Sequence, residues 1–156
     1  VTAPGHATIA NRKVSASVVV AAPPAQVFAL LADPHRHHEF DGSGTVRAAV
    51  SGPEKLAMGD RFGMEMKMRI GYRITNEVVE FEQDRLIAWC HFAKARWRYE
   101  LEPVEIGTAT GTRITETFDY AGAPMRRGME LLKMPQQNAR SIRDTLRRLQ
   151  DIFGTV

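Results

Sequence analysis

The chain has 156 residues, of which 44% are hydrophobic and 25% charged, the makeup of an ordinary globular domain too short to hold a second core of useful size. Its 21 basic and 18 acidic residues leave a formal charge of +3 that is spread along the sequence, so no nucleic-acid partner is expected. The one cysteine, Cys90, excludes an internal disulfide and a cysteine-based zinc cluster, and the longest apolar run, 18–22, is far shorter than the roughly 20 residues of a membrane-spanning helix.

Residues 1–13 carry no apolar stretch of the signal-peptide kind and no periodic pattern. They read as a loose arm before one domain over 14–154, and a cytoplasmic location without integral membrane association is the expectation. From 14 to 22 the sequence is β-branched and alternating, a strand that stops at Pro23-Pro24, where the missing amide hydrogens end pairing and preset a helical turn. A helix over 25–32 then presents Val27, Phe28, Leu30 and Leu31. Asp33-Pro34 reads as the cap and first residue of a second short helix, which Phe40-Asp41-Gly42-Ser43-Gly44 breaks.

Turn residues at Gly52-Pro53, Gly59-Asp60, Gly71, Gln83-Asp84, Pro103 and Gly107 to Gly111 then punctuate a series of strands near 45–51, 60–70, 72–82, 85–93, 95–104 and 112–120. Connections this short predict hairpins and an antiparallel meander. After Gly122-Ala123-Pro124 the period becomes 3.6, with Ala139, Ile142, Leu146, Leu149 and Phe153 on one stripe of a long terminal helix. Pro135 is expected to bend or break its first half. The fold class is therefore α+β: a curved sheet of about seven strands, in the order β-α-α-β6-α, wrapped around the last helix.

A side-chain period of two assigns the faces. Phe62, Met64, Met66, Met68 and Ile70 alternate with charged residues, and three inward methionines make either an adaptable binding wall or a surface packed on Met125, Met129 and Met134 of the last helix. Trp97, Tyr99 and Leu101 share an inward face. On the preceding strand Ile87, Trp89 and His91 are favoured as the inward set, although Leu86, Ala88, Cys90 and Phe92 are as apolar. On the last strand a carboxylate, Glu116, interrupts the row Ile114, Phe118 and Tyr120. A buried charge needs a partner, a proton, or contact with water or ligand. Glu116 is thus either the polar anchor of an internal pocket, with Tyr99, Trp97, His91, Arg69 or Asn76 beside it, or a residue on a wet strand end.

Other chemistry finds little support. In His35-Arg36-His37-His38-Glu39 the spacing leaves His37 pointing away from His35 and His38, so a solvated polar helix is expected and no metal site. Nucleophile-elbow, Walker and dinucleotide motifs are absent, and no cofactor is implied. Gly107 to Gly111 reads as a hairpin turn. Cys90 cannot pair with the adjacent His91, which faces the other way, and reads as an inert thiol. The cations of the last helix, Arg140, Arg143, Arg147 and Arg148 among them, read as a solvated face.

This element order resembles the START-related helix-grip superfamily, SRPBCC, and within it the polyketide cyclase/dehydrase-type proteins that share the birch pollen allergen fold. The resemblance covers 14–153. Its carriers are Val20-Ala21-Ala22-Pro23-Pro24-Ala25-Gln26-Val27-Phe28, Leu31-Ala32-Asp33-Pro34, Ile74-Thr75-Asn76-Glu77-Val78-Val79-Glu80, Trp97-Arg98-Tyr99-Glu100-Leu101-Glu102-Pro103 and Gly111-Thr112-Arg113-Ile114-Thr115-Glu116-Thr117-Phe118. It implies a deep apolar cavity between sheet and terminal helix that takes a small hydrophobic molecule such as a lipid, polyketide or quinone. Phe62, Met64, Met66, Met68, Trp89, His91, Trp97, Tyr99, Ile114, Glu116, Phe118 and Met129 are the expected lining. A cyclase, aromatase or dehydratase working in the same cavity is the alternative, with Glu116, His91 and Tyr99 as candidate acids or bases. A third reading is an interaction protein with a collapsed cavity, and a homodimer is expected only as a general prior.

Overall fold

The structure, a computed structural model, describes residues 5–67, 69–91 and 93–156, with the backbone alone at Ala48, Ala49 and Val50. The alternating segments form eight strands: β1 (Thr8–Ala10), β2 (Lys13–Val20), β3 (Val46–Ser51), β4 (Arg61–Lys67), β5 (Gly71–Glu82), β6 (Leu86–Cys90), β7 (Arg96–Ile106) and β8 (Ala109–Asp119). They make one antiparallel sheet in the order β1-β2-β8-β7-β6-β5-β4-β3. Between β2 and β3 lie α1 (Pro24–Leu31), a 3-10 turn (Pro34–Arg36) and α2 (His37–Phe40), and after β8 come α3 (Arg126–Leu131) and α4 (Met134–Phe153).

The eighth strand is β1, from the segment expected to be a loose arm. It pairs with β2 through a two-residue turn in which Asn11 and Arg12 both have positive φ, the type I′ geometry that matches strand twist. The β7–β8 hairpin uses Gly107 at φ 60, where glycine carries no Cβ penalty. At the helices, Pro24 opens α1, and the Asp33 carboxylate accepts the His35 amide at 3.0 Å to cap the 3-10 turn. The last helical segment is broken in its first half, as Pro135 leads one to expect, and forms two helices. Lys133, left-handed at φ 55, separates α3 from α4, so Pro135 falls in the first turn of α4, where its missing donor costs nothing.

The amphipathic stripe of α4 places Ile142, Leu146 and Leu149, all fully buried, in one core with Val14, Ala16 and Val18 of β2 and Ile114 of β8. Each such side chain contributes about 1.5–3 kcal/mol. Gly42 lets the chain after α2 pass against α4: its amide donates to Thr145 Oγ1 at 2.9 Å, and any Cβ there would collide with the α4 backbone at Ser141 and Thr145. On β5 the pairing shifts from Val78 opposite Trp89 to Glu80 opposite Ala88, so Val79 is a bulge. The inward residues therefore change parity, from Ile74, Asn76 and Val78 to Phe81, which packs edge-on to Phe28 of α1 at 5.4 Å.

Candidate functional site

Inward side chains from β4 to β8 do not all meet α4. They enclose, with α2, α3 and the start of α4, a cavity of about 480 Å³. Met64 and Met66 of β4 form one wall, Trp89, Trp97, Tyr99 and Phe118 form the floor, and Met129 and Met134 close the helical side. Met125 and Leu132 also line it but are 74% and 68% exposed, which puts its mouth at α3. A second depression, of about 500 Å³, lies among Arg47, Glu65, Lys67 and Arg73 at the β4–β5 end and shares Met66 and Tyr72 with the apolar cavity.

The polar groups of the apolar cavity follow from the register. Tyr99 and Glu116 are directly opposite on β7 and β8, and the Tyr99 hydroxyl donates to Glu116 Oε1 at 2.9 Å. Both are buried, and Glu116 Oε2 has no protein partner. Burial holds the Glu116 carboxyl well above the usual carboxylate range; the Tyr99 hydrogen bond opposes this and the negative charge of Asp41 adds to it. Burial also raises the Tyr99 phenol, with Glu116 beside it acting in the same direction. Burial thus favours the protonated form of both groups. Oε1 then accepts from Tyr99, and Oε2 is left as a hydroxyl donor.

His37 is the largest departure from sequence expectation. It is buried, not solvated, with its ring stacked on Trp89 at 4.8 Å and edge-on to Phe40 and Phe62. Desolvation lowers its pKa to about 4, outweighing the hydrogen bond to Leu31 O. The neutral ring donates from Nε2 to that carbonyl at 2.7 Å, which leaves Nδ1 a bare acceptor without a partner. Asn76 is also buried on the inward face of β5, and its Nδ2 is unpartnered. A second histidine, His91, sits half-buried at the wall; burial lowers its pKa, and Nδ1 accepts the Ala93 amide at 3.1 Å.

Nine of the expected lining residues, Met64, Met66, Trp89, His91, Trp97, Tyr99, Glu116, Phe118 and Met129, reach the cavity wall. Phe62 and Ile114 instead are packed within the core, and Met68 lies outside the described residues. Ile87 and Trp89 face inward as favoured, but Leu86 and Ala88 are buried too, Ala88 lying in register between Glu80 and Arg98, an ion pair at 3.4 Å. Phe92, the last of the alternative set, lies outside the described residues. Of the companions considered for Glu116, Tyr99 bonds to it, while Arg69 is exposed. Sequence reasoning missed His37 and left Asn76 off the lining. For Asn76 the signal was its place in the row Ile74, Asn76, Val78; for His37 it was Phe40 one helical turn on.

Among the described residues no cluster of metal-binding type occurs, and no helix is long and apolar enough to cross a membrane. The half-buried Cys90 lies on the opposite face to Trp89.

The fold has counterparts among solved structures. A protein of Rhodobacter sphaeroides superposes with a TM-score of 0.65 at 15% identity, covering 96% of this chain and 95% of its own. A protein of Mycobacterium smegmatis gives 0.61 at 17%, covering 97% and 98%, and a polyketide-cyclase-like protein of Corynebacterium glutamicum gives 0.56 at 22%, covering 90% of each. In sequence, an uncharacterized protein of Mycobacterium tuberculosis is 44% identical over 147 residues, which are 91% of this chain but 64% of that protein's length. Residues 11–154 match the family described as polyketide cyclase / dehydrase and lipid transport, and the chain belongs to that family, within the SRPBCC-type superfamily.

Proposed function

We propose that the protein binds a small hydrophobic molecule in the cavity between sheet and terminal helices. The observation that carries this reading is the cavity of about 480 Å³ whose apolar walls hold three buried polar atoms without a protein partner, Glu116 Oε2, His37 Nδ1 and Asn76 Nδ2. Each unpaired buried polar group costs about 1–3 kcal/mol, a cost that a ligand group can repay. The methionines and aromatics supply apolar contact area, and the polar atoms supply orientation.

Both tryptophans of the sequence, Trp89 and Trp97, line the cavity, so intrinsic fluorescence reports on it. Titration with quinones, aromatic polyketides and lipids should change that fluorescence saturably for at least one class, with a matching rise in Tm. Unchanged emission and Tm across all three would refute the reading.

The Glu116–Tyr99 pair supports a second reading, a cyclase or dehydratase. A carboxyl whose pKa is raised by burial can lend its proton to a ligand carbonyl and recover it afterwards. Turnover of a poly-β-ketone analogue that is lost in Glu116→Gln would favour catalysis. Binding of the analogue without turnover would leave the protein a carrier.

A further inference from the structure

We infer that the ligand portion enclosed at the cavity floor is uncharged and carries a neutral oxygen function, a carbonyl or a hydroxyl, that pairs with Glu116 Oε2. This rests on the cavity being a ligand site.

The charge inventory of the wall is one-sided. Among the described residues its ionisable side chains are Asp41, Glu116, Tyr72, Tyr99, His37 and His91, and no Lys or Arg joins them. Arg126 is adjacent to the mouth residue Met125 and its Nε is buried without a partner, but it is not part of the wall, and its Nη1 donates to Ala123 O. The Asp41 carboxylate is already engaged, accepting from the Ser43 amide and hydroxyl and from the Val46 amide at 2.8 to 3.1 Å. An enclosed carboxylate, sulfonate or phosphate would therefore meet no cation, and would exchange its hydration for at most the two neutral donors of Glu116 and Asn76.

An enclosed ammonium group fares no better. It would find a counter-ion at the floor only if Glu116 released its proton to solvent, which burial opposes: Tyr99 donates to one of its oxygens, and the rings of Phe40 and Trp89 pack against Tyr99. The unpartnered atoms instead match a neutral oxygen function. Glu116 Oε2–H and Asn76 Nδ2 donate, and His37 Nδ1 accepts. A carbonyl takes a donor, and a hydroxyl takes a donor and satisfies the acceptor. These atoms come from β8, β5 and α2, so the polar functions of the ligand are read at separate points along the floor.

Compact bicyclic probes of one shape test this, because they fit wholly inside: 2-acetylnaphthalene and 2-naphthol against 2-naphthoate and 2-naphthylmethylammonium, at pH 7 by tryptophan fluorescence and calorimetry. The expected result is that the ketone or the naphthol binds at least tenfold more tightly than either ion. With a 13C-labelled ketone, the carbonyl resonance should move downfield on binding and lose that shift in Glu116→Leu, while a near-ultraviolet circular dichroism spectrum confirms that the variant is folded. Naphthoate or the ammonium binding as tightly as the neutral probes would overturn this inference and leave the ligand site standing. Failure of every probe, together with unchanged fluorescence for the larger lipids, quinones and polyketides, would remove the ligand site and this inference with it.

Discussion

Replacing Glu116 by Gln should stabilise the protein by an amount that grows with pH. The unfolded carboxyl releases its proton near 4.5, whereas the folded one, raised by burial, keeps it well above that value. Between those two pKa values the native state binds more protons than the unfolded state, so stability falls as pH rises, at about 1.4 kcal/mol per pH unit. Gln keeps an acceptor for the Tyr99 hydroxyl and a donor towards the cavity, but has nothing to titrate. Urea denaturation of both proteins at half-unit steps from pH 5 to 8 should show the variant gaining on the wild type by about 1.4 kcal/mol per unit, with the slope flattening at the native pKa. Against a total stability of about 5–15 kcal/mol this is a large effect. A difference independent of pH would mean that Glu116 ionises as an exposed residue does, and the neutral anchor would be lost.

His37 predicts the opposite slope. Its folded pKa of about 4 lies below the usual 6.5, so stability is lost as pH falls from 6.5 towards 4. His37→Phe should abolish that loss, gaining about 3 kcal/mol on the wild type between pH 7 and 4 in urea denaturation, and an unchanged difference would contradict its burial as a neutral ring. Leu146→Ala, at a fully buried position of α4, should cost about 2–5 kcal/mol, whereas Leu131→Ser, 83% exposed on α3, should stay within about 0.5 kcal/mol. Gly42→Ala should lower Tm strongly, since the new Cβ meets the α4 backbone at Ser141 and Thr145. A wild-type Tm would show that the α2–α4 approach is looser than described.

The features that sequence shows best are those where a period is broken on one strand. Glu116 within Ile114, Phe118 and Tyr120 marks a polar atom facing inward, because on a strand parity alone decides the face. The methionine row of β4 is legible for the same reason. Other features depend on contacts far apart in the chain. The short exposed strand β1 has no apolar alternation, and its Asn11-Arg12 turn lacks the glycine that marks a type I′ hairpin. His37 lies in a run of polar residues, and only the packing of α2 over Trp89 and Phe62 buries it. The parity of β5 beyond Val78 depends on the bulge at Val79, whereas the break between α3 and α4, which Pro135 signals, falls two residues before it at Lys133. Whether inward residues fill a core or surround a cavity depends on sheet curvature. The alternation of Phe62, which is packed, and Met64, which lines the cavity, is the same in sequence.

The central claim, that the cavity holds a hydrophobic ligand, is tested most directly by native mass spectrometry of the protein purified from its natural host under non-denaturing conditions. The account predicts a bound mass of one small neutral molecule, released on denaturation and absent from a variant with Met64 and Ile74 replaced by Trp to fill the cavity. A bare polypeptide mass, with no adduct formed on incubation with a lipid extract of the host, would contradict it.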